Sequence, residues 1–174
     1  ALNRGTSVYL IDQVIPMLPK ELSNGICSLN PGDDRLTLSI DMEIDDKGKV
    51  VSHEIYQSII HSKARMVYDD VSDMLEKGDE ELKSKFSEIV PHLIVMEELA
   101  GILRKSRQAR GSLDFEFDEA YITLNEFGVP ETIVTAERRV ANKMIEEFML
   151  IANETIAEHF YWMETPFVYR IHEA

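Results

Sequence analysis

One cysteine, Cys27, stands in a chain of 174 residues, so no disulfide can form within it, and a reducing, cytoplasmic setting is the expectation. Glycine and proline are sparse, with 8 and 6 residues, and there is no low-complexity stretch, which argues for an ordered globular chain and against a linker or tail. No apolar run approaches the roughly 18 residues that a membrane span requires. The first residues, Ala1-Leu2-Asn3-Arg4, carry neither an initiator methionine nor a signal-peptide pattern, as in a processed protein or an excised fragment. Positive charge is scarce as well: 18 Lys and Arg face 32 Asp and Glu, a net charge of −14. Phosphate binding draws on a cationic surplus, so this balance speaks against independent nucleic-acid binding.

Familiar site motifs are missing too. Neither GxxxxGK[ST] nor GxGxxG occurs, which removes phosphate-cradling loops. His53, His61, His92, His159 and His172 show no HxH or HExxH spacing, and one cysteine makes a zinc site a poor reading. Asp41, Glu43, Asp45 and Asp46 invite a calcium loop. However, Gly48 is displaced from its required place and Ser52 stands where a bidentate Glu belongs. Those acids read as the solvent face and turn of a hairpin. Cys27 and His172 have no third partner that would make a nucleophile.

What is present is an alternation of periods. The opening through Pro31 reads as mostly extended, with a helical turn near Glu21. From Arg35 to Ile44, Leu36, Leu38, Ile40, Met42 and Ile44 share one face, the pattern of a half-buried strand. Asp45-Asp46-Lys47-Gly48 is turn chemistry, and Val50 to Ile60 returns as the second strand of a hairpin. A short helix is expected over Tyr68 to Glu76, stopped by Gly78. A longer helical stretch covers Asp79 to Arg110, with Pro91 starting or kinking its second half and Gly111 ending it. Ser112 to Asp118 returns to period two. Glu119 to Leu124 and Val129 to Thr135 form a further hairpin around Asn125 to Gly128. Arg138 to about Trp162 is apolar on more than one side and reads as a central buried helix, and Phe167 to Ile171 as a closing strand. The class is α+β, hairpins packed on long helices, in a single segment.

Several ordered words carry more specific information: Arg4-Gly5-Thr6-Ser7-Val8-Tyr9-Leu10, Val14-Ile15-Pro16-Met17-Leu18-Pro19, and Leu22-Ser23-Asn24-Gly25-Ile26-Cys27-Ser28-Leu29-Asn30-Pro31. Asp34-Arg35-Leu36, Ser62-Lys63-Ala64-Arg65, Ile145-Glu146-Glu147-Phe148-Met149 with Ala152-Asn153, and Arg170-Ile171-His172-Glu173 follow in order. Together they resemble, over essentially the whole chain, the catalytic (RNB) domain of the ribonuclease II/ribonuclease R family, closer to its ribonuclease R branch.

That resemblance implies an interior piece of a magnesium-dependent, processive 3′-to-5′ exoribonuclease of single-stranded RNA that releases nucleoside 5′-monophosphates. In the family, aspartates upstream of the stretch resembling Arg4 to Leu10 hold two magnesium ions that activate water and stabilise the leaving oxygen. An arginine in a Thr-Ser-Pro-Ile-Arg-like segment lies downstream of the stretch resembling Arg170 to Glu173. Neither is in this sequence, so no catalytic or metal-binding residue is assigned here, and the isolated segment is expected to be inactive. Its expected partners are single-stranded RNA, the rest of the catalytic domain and flanking RNA-binding domains.

Four residues match family positions in the RNA channel. Tyr9 resembles the tyrosine that stacks near the 3′-terminal nucleotides, and Phe115 the aromatic that completes the clamp; any base offers a face for stacking. Tyr68 and Glu146 resemble the pair beside the ribose, suited to reading a 2′-hydroxyl that DNA lacks. Ordinary explanations stand beside each: a loop aromatic for Tyr9, a core strand residue for Phe115 alongside Leu113 and Phe117, a core tyrosine for Tyr68, a solvated helix face for Glu146. Glu147 is an alternative to Glu146. Arg138, Arg139 and Lys143 are candidate phosphate contacts or simply solvated charges. The competing functions are a non-catalytic RNA-binding module and a protein-interaction domain of the same fold.

Overall fold

A computed structural model describes residues 5–112 and 119–171, and the chain divides into two compact units. The strand proposed for Ser112 to Asp118, with Phe115, lies outside the described residues apart from Ser112.

The first unit comprises Ala1–Leu38, Gln57–Arg65 and Phe115–Glu137. Its opening pair, β1 (Val8–Tyr9) and β2 (Val14–Ile15), is antiparallel with Val8 opposite Ile15 and Tyr9 opposite Val14. A widened helical turn follows at Glu21–Ile26, where the sequence suggested one. The long strands β3 (Asp34–Ile44) and β4 (Val50–His61) pair as a hairpin whose root lies in this unit. At that root the Thr37 and Ser58 hydroxyls hydrogen-bond at 2.7 Å, and the Gly32 N–H donates to the Ser62 carbonyl at 2.8 Å. β5 (Glu119–Leu124) and β6 (Pro130–Ala136) form the third antiparallel pair, with Ile122 opposite Ile133.

Both longer hairpins turn by one device. Asp45 Oδ1 accepts from the Lys47 and Lys49 N–H groups at 2.9 and 2.8 Å; Asn125 Oδ1 accepts from Phe127 and Val129 at 3.0 Å each. Gly48 and Gly128, each three residues on, take the positive φ that such turns demand.

One expectation fails in the first unit. Leu36 and Leu38 are 84% and 74% exposed, while Arg35 and Thr37 on the opposite face are half-buried. Alternation correctly groups the residues by face, but period two carries no information about which face meets a neighbour. Farther along, Ile40, Met42 and Ile44 are half-buried as expected.

The second unit holds the hairpin tip and the helices: Ser39–Tyr56, Met66–Asp114 and Arg138–Ala174. α1 (Tyr68–Ser72) runs into a widened turn at Asp73–Lys77, which Gly78 ends in the left-handed conformation. α2 (Glu80–Lys85) is capped by Asp79, whose Oδ1 accepts from Glu81 and Leu82 N–H at 3.0 Å. The chain breaks at Phe86 to Ile89, and α3 (Val90–Ala109) starts with Pro91 in its first turn, so proline begins a new helix here. α4 (Val140–Trp162) packs along α3. Val71, Met74, Leu93, Ala100, Ala141 and Met144 form the buried cluster that joins α1, α3 and α4.

Two further expectations are corrected in this unit. α4 buries one stripe, Ala141, Met144, Glu147 and Thr155, whereas Ile145 and Met149 are exposed, so it is not buried all round. Thr155 is tolerated in that stripe because its hydroxyl donates to the Ile151 carbonyl at 2.7 Å. Phe167 to Ile171 forms no strand; Phe167 stacks on Phe160 with centroids 4.7 Å apart, and Tyr169 meets Phe167 edge-on.

Candidate nucleic-acid interface

The four candidates fall in different surroundings. Tyr9 lies in the first unit on the short strand β1 and is 79% exposed. Its hairpin is closed by Leu10 N–H donating to Gln13 and steadied by Met17 N–H on the Ser7 hydroxyl at 3.0 Å. An exposed aromatic on a pinned turn offers a stacking face at small entropic cost. Phe115 is outside the described residues.

Tyr68 and Glu146 both belong to the second unit. Tyr68 opens α1 directly after the extended Val67, and half of its surface is open. Glu146 sits in the second turn of α4, with its side chain 38% exposed. Arg138, just before that helix, grips it: Nε lies 2.9 and 3.0 Å from the two carboxylate oxygens and Nη2 contacts Oε2. A planar guanidinium held this way fixes the carboxylate plane.

Glu147 has the opposite setting. It is buried, and Arg107 of α3 donates to it from Nε at 3.1 and 3.3 Å and from Nη2 at 2.6 Å. Arg107 also donates to the Ser112 hydroxyl. Of two adjacent glutamates, one therefore ties α3 to α4 inside the protein and the other is presented, oriented, at the surface.

The elements carrying Tyr68 and Glu146 are fastened together. Ser72 Oγ accepts from Ala141 N–H at 3.3 Å, and Glu76 Oε1 accepts from Val140 N–H at 2.9 Å, so the segment after Tyr68 caps the start of α4. Arg139 joins Asp73 at 2.5 Å and Glu76 at 2.8 Å, with Asp69 at 3.7 Å. These contacts hold the Glu76 carboxyl below its ordinary range, first through the Val140 N–H and then through Arg139. Asp73 is lowered likewise by hydrogen bonds from Lys77 and Arg139, and the Arg139 guanidinium is raised by Asp73 and then Glu76.

Arg138 and Arg139 thus have carboxylate partners, so neither is simply a solvated charge. Sequence reasoning also missed Arg107. The spacing Asp69, Asp73, Glu76 was a usable signal, since it puts three acids on one helical face opposite some cation. Arg107 and Glu147 lie forty residues apart with no local pattern linking them. Among the described residues, no group of three or more His, Cys, Asp or Glu is placed to hold a metal ion, and no helix is long and apolar enough to cross a membrane.

Helices with small antiparallel sheets in this order are the architecture of an RNB-type exoribonuclease domain. The RNB domain matches residues 1–174, and the chain belongs to that family. It is 50% identical over 173 residues to ribonuclease R 1 of Lactococcus lactis, covering 99% of this chain and 21% of that protein. To ribonuclease R of Thermotoga maritima it is 51% identical over 175 residues, covering 99% and 24%. The structure of Mycoplasma genitalium RNase R in complex with ribose methylated single-stranded RNA matches 97% of this chain and 26% of that one, with TM-score 0.87 and 32% identity. The chain thus spans about a quarter of the length of these relatives or less.

Proposed function

We propose that this chain forms part of the substrate channel of a processive 3′-to-5′ exoribonuclease that acts on single-stranded RNA and releases nucleoside 5′-monophosphates. Tyr9 and Phe115 stack bases; Tyr68 and Glu146 read the ribose. The family membership supports the class of enzyme, and the RNA in the Mycoplasma genitalium structure supports the substrate. The observation that carries the residue assignment is the contrast between neighbours: Glu146 is half-exposed and oriented by Arg138, while Glu147 is buried against Arg107. Only the former has a carboxylate available to a sugar.

The chemistry assigned to these residues is discrimination. A carboxylate oxygen accepts from a 2′-hydroxyl, and a phenol can donate or accept beside it. When deoxyribose arrives, the desolvated partner is left unpaired, at about 1–3 kcal/mol per group or roughly 5- to 150-fold in rate. Magnesium belongs to the proposal for the longer protein alone: the described residues offer no cage for it, and no step is assigned to a metal here. A cytoplasmic setting, in keeping with the single cysteine, is part of the same proposal.

The test uses the full-length protein that carries this segment. Cleavage rates are measured at one position bearing ribose or deoxyribose in an otherwise RNA strand. Glu146→Ala and Tyr68→Phe should each narrow the ribose-to-deoxyribose ratio. An unchanged ratio in both, or a change in Glu147→Ala without one in Glu146→Ala, would refute the assignment. The net charge of −14 favours a second reading, a protein-interaction surface, and an electrophoretic shift of single-stranded RNA distinguishes it.

A further inference from the structure

We infer that Arg138 is a positioning residue for sugar discrimination: it aims the Glu146 carboxylate, and its effect on the reaction passes through that carboxylate. The inference rests on the ribose-reading role proposed for Glu146 and adds a residue to it.

The geometry separates this contact from an ordinary helix-surface ion pair. Arg138 precedes the helix, whose first residue is Val140, and Glu146 lies six residues farther on, roughly 9 Å along the axis. The two side chains must extend toward each other to meet. They meet through a fork that occupies both carboxylate oxygens, from Nε at 2.9 and 3.0 Å and from Nη2. A half-exposed ion pair contributes little to stability, so stability alone is a weak account of this reach. What the fork does achieve is to remove the rotational freedom of a glutamate, which otherwise sweeps its carboxylate through several rotamers. An acceptor that must distinguish one hydroxyl from a hydrogen has to be held within about 0.5 Å of its working position. Each oxygen of the clamped carboxylate retains acceptor capacity for a second donor.

The neighbouring residue makes the division of labour explicit. Arg139 spends its guanidinium on Asp73 and Glu76, locking the segment that begins at Tyr68 onto the start of α4. Arg138 turns the other way, along α4, to Glu146. Consecutive arginines therefore act on the two halves of one sugar-reading pair, Arg139 on the element carrying Tyr68 and Arg138 on the carboxylate itself.

The experiment compares Arg138→Gln, Arg138→Lys, Glu146→Ala and the double variant Arg138→Gln/Glu146→Ala in the full-length protein. Single-turnover rates on the ribose and deoxyribose substrates are read beside the melting temperature. Arg138→Gln should narrow the ribose-to-deoxyribose ratio by about tenfold, and Arg138→Lys, which keeps the charge without the fork, by about threefold. Neither should shift melting by more than about 3 °C. In the Glu146→Ala background, Arg138→Gln should change the ratio by less than about twofold, because the group it aims is gone. The inference is overturned if Arg138→Gln leaves the ratio intact, or slows both substrates equally, while Glu146→Ala narrows it. If Glu146→Ala itself leaves the ratio unchanged, the ribose reading falls and this inference with it. Should Arg138→Gln not fold, Arg138→Lys decides by the same ratio.

Discussion

Removing the Glu147 carboxylate should destabilise the second unit although the residue is charged and sits on a helix. Glu147 is 5% exposed and receives its hydrogen bonds from Arg107, whose side chain is 16% exposed. Glu147→Ala takes the carboxylate and its three hydrogen bonds from a guanidinium that lies largely out of water, and breaking a buried pair in this way costs about 3–5 kcal/mol. Arg107 keeps the Ser112 hydroxyl and a little solvent access, which places the expectation near the lower end, about 3 kcal/mol. Glu147→Gln preserves shape and one acceptor and should cost less, about 2 kcal/mol. Replacing both partners, Arg107→Met with Glu147→Leu, takes out the buried guanidinium together with the carboxylate and should cost less than Glu147→Ala, about 1 kcal/mol. Urea unfolding of the chain followed by far-UV circular dichroism measures each variant, with an unchanged slope as the condition for comparing midpoints. The reasoning is refuted if Glu147→Ala costs under about 1 kcal/mol, or if the double variant costs as much as Arg107→Met and Glu147→Leu measured singly and added, since independence is incompatible with a shared charge pair.

Three further outcomes are expected. Gly48→Ala should destabilise by about 2 kcal/mol or more, because its φ is +77° and a Cβ would stand 3.0 Å from Ser106 Cβ and 3.3 Å from the Ile102 carbonyl; urea midpoints equal to the parent's would contradict it. Asp73 and Glu76 have carboxyls lowered by their partners, so their stabilisation is present above the ordinary carboxylate range and lost as pH falls through the depressed folded values, below about pH 4. The gap in melting temperature between the parent and Glu76→Gln should therefore shrink from pH 6 toward about pH 3, and a constant gap would count against this account. Tyr9→Ala in the full-length protein should lengthen the final undegraded product more than it slows early cleavage, because one stack of about 1–3 kcal/mol is a larger share of what holds a short RNA. Uniform slowing with an unchanged end product on a sequencing gel would show that Tyr9 is no terminal clamp.

The elements that could be read in the sequence are those fixed by short-range chemistry. Asp45 and Gly48, or Asn125 and Gly128, specify a turn within four residues, and both hairpins fold where their turns require. Pro91 divides one apolar period into two helices for a reason internal to proline. Orientation is another matter. Leu36 and Leu38 alternate as a buried face would, yet the covered side of the hairpin root is the one bearing Thr37 and Ser58. The apolar breadth of α4 suggested burial all round, but Ile145 and Met149 remain open. Each misreading concerns what lies opposite a correctly grouped face, which depends on residues distant in the chain.

The candidate site divides in the same way. Helical geometry turns Glu146 and Glu147 about 100° apart, so the two face different directions, but nothing local says which of them meets the core. The choice is made by Arg107, forty residues away on α3, which takes Glu147 inward. Once Glu147 is committed, the helix has no rotational freedom left, and Glu146 must emerge on the side that Arg138 can reach. The buried pair thus sets which carboxylate is offered, and the half-exposed pair sets how it is aimed. A substitution at Arg107 should then disturb the proposed sugar reading only by loosening α4 as a whole, whereas one at Arg138 should disturb it with the fold intact.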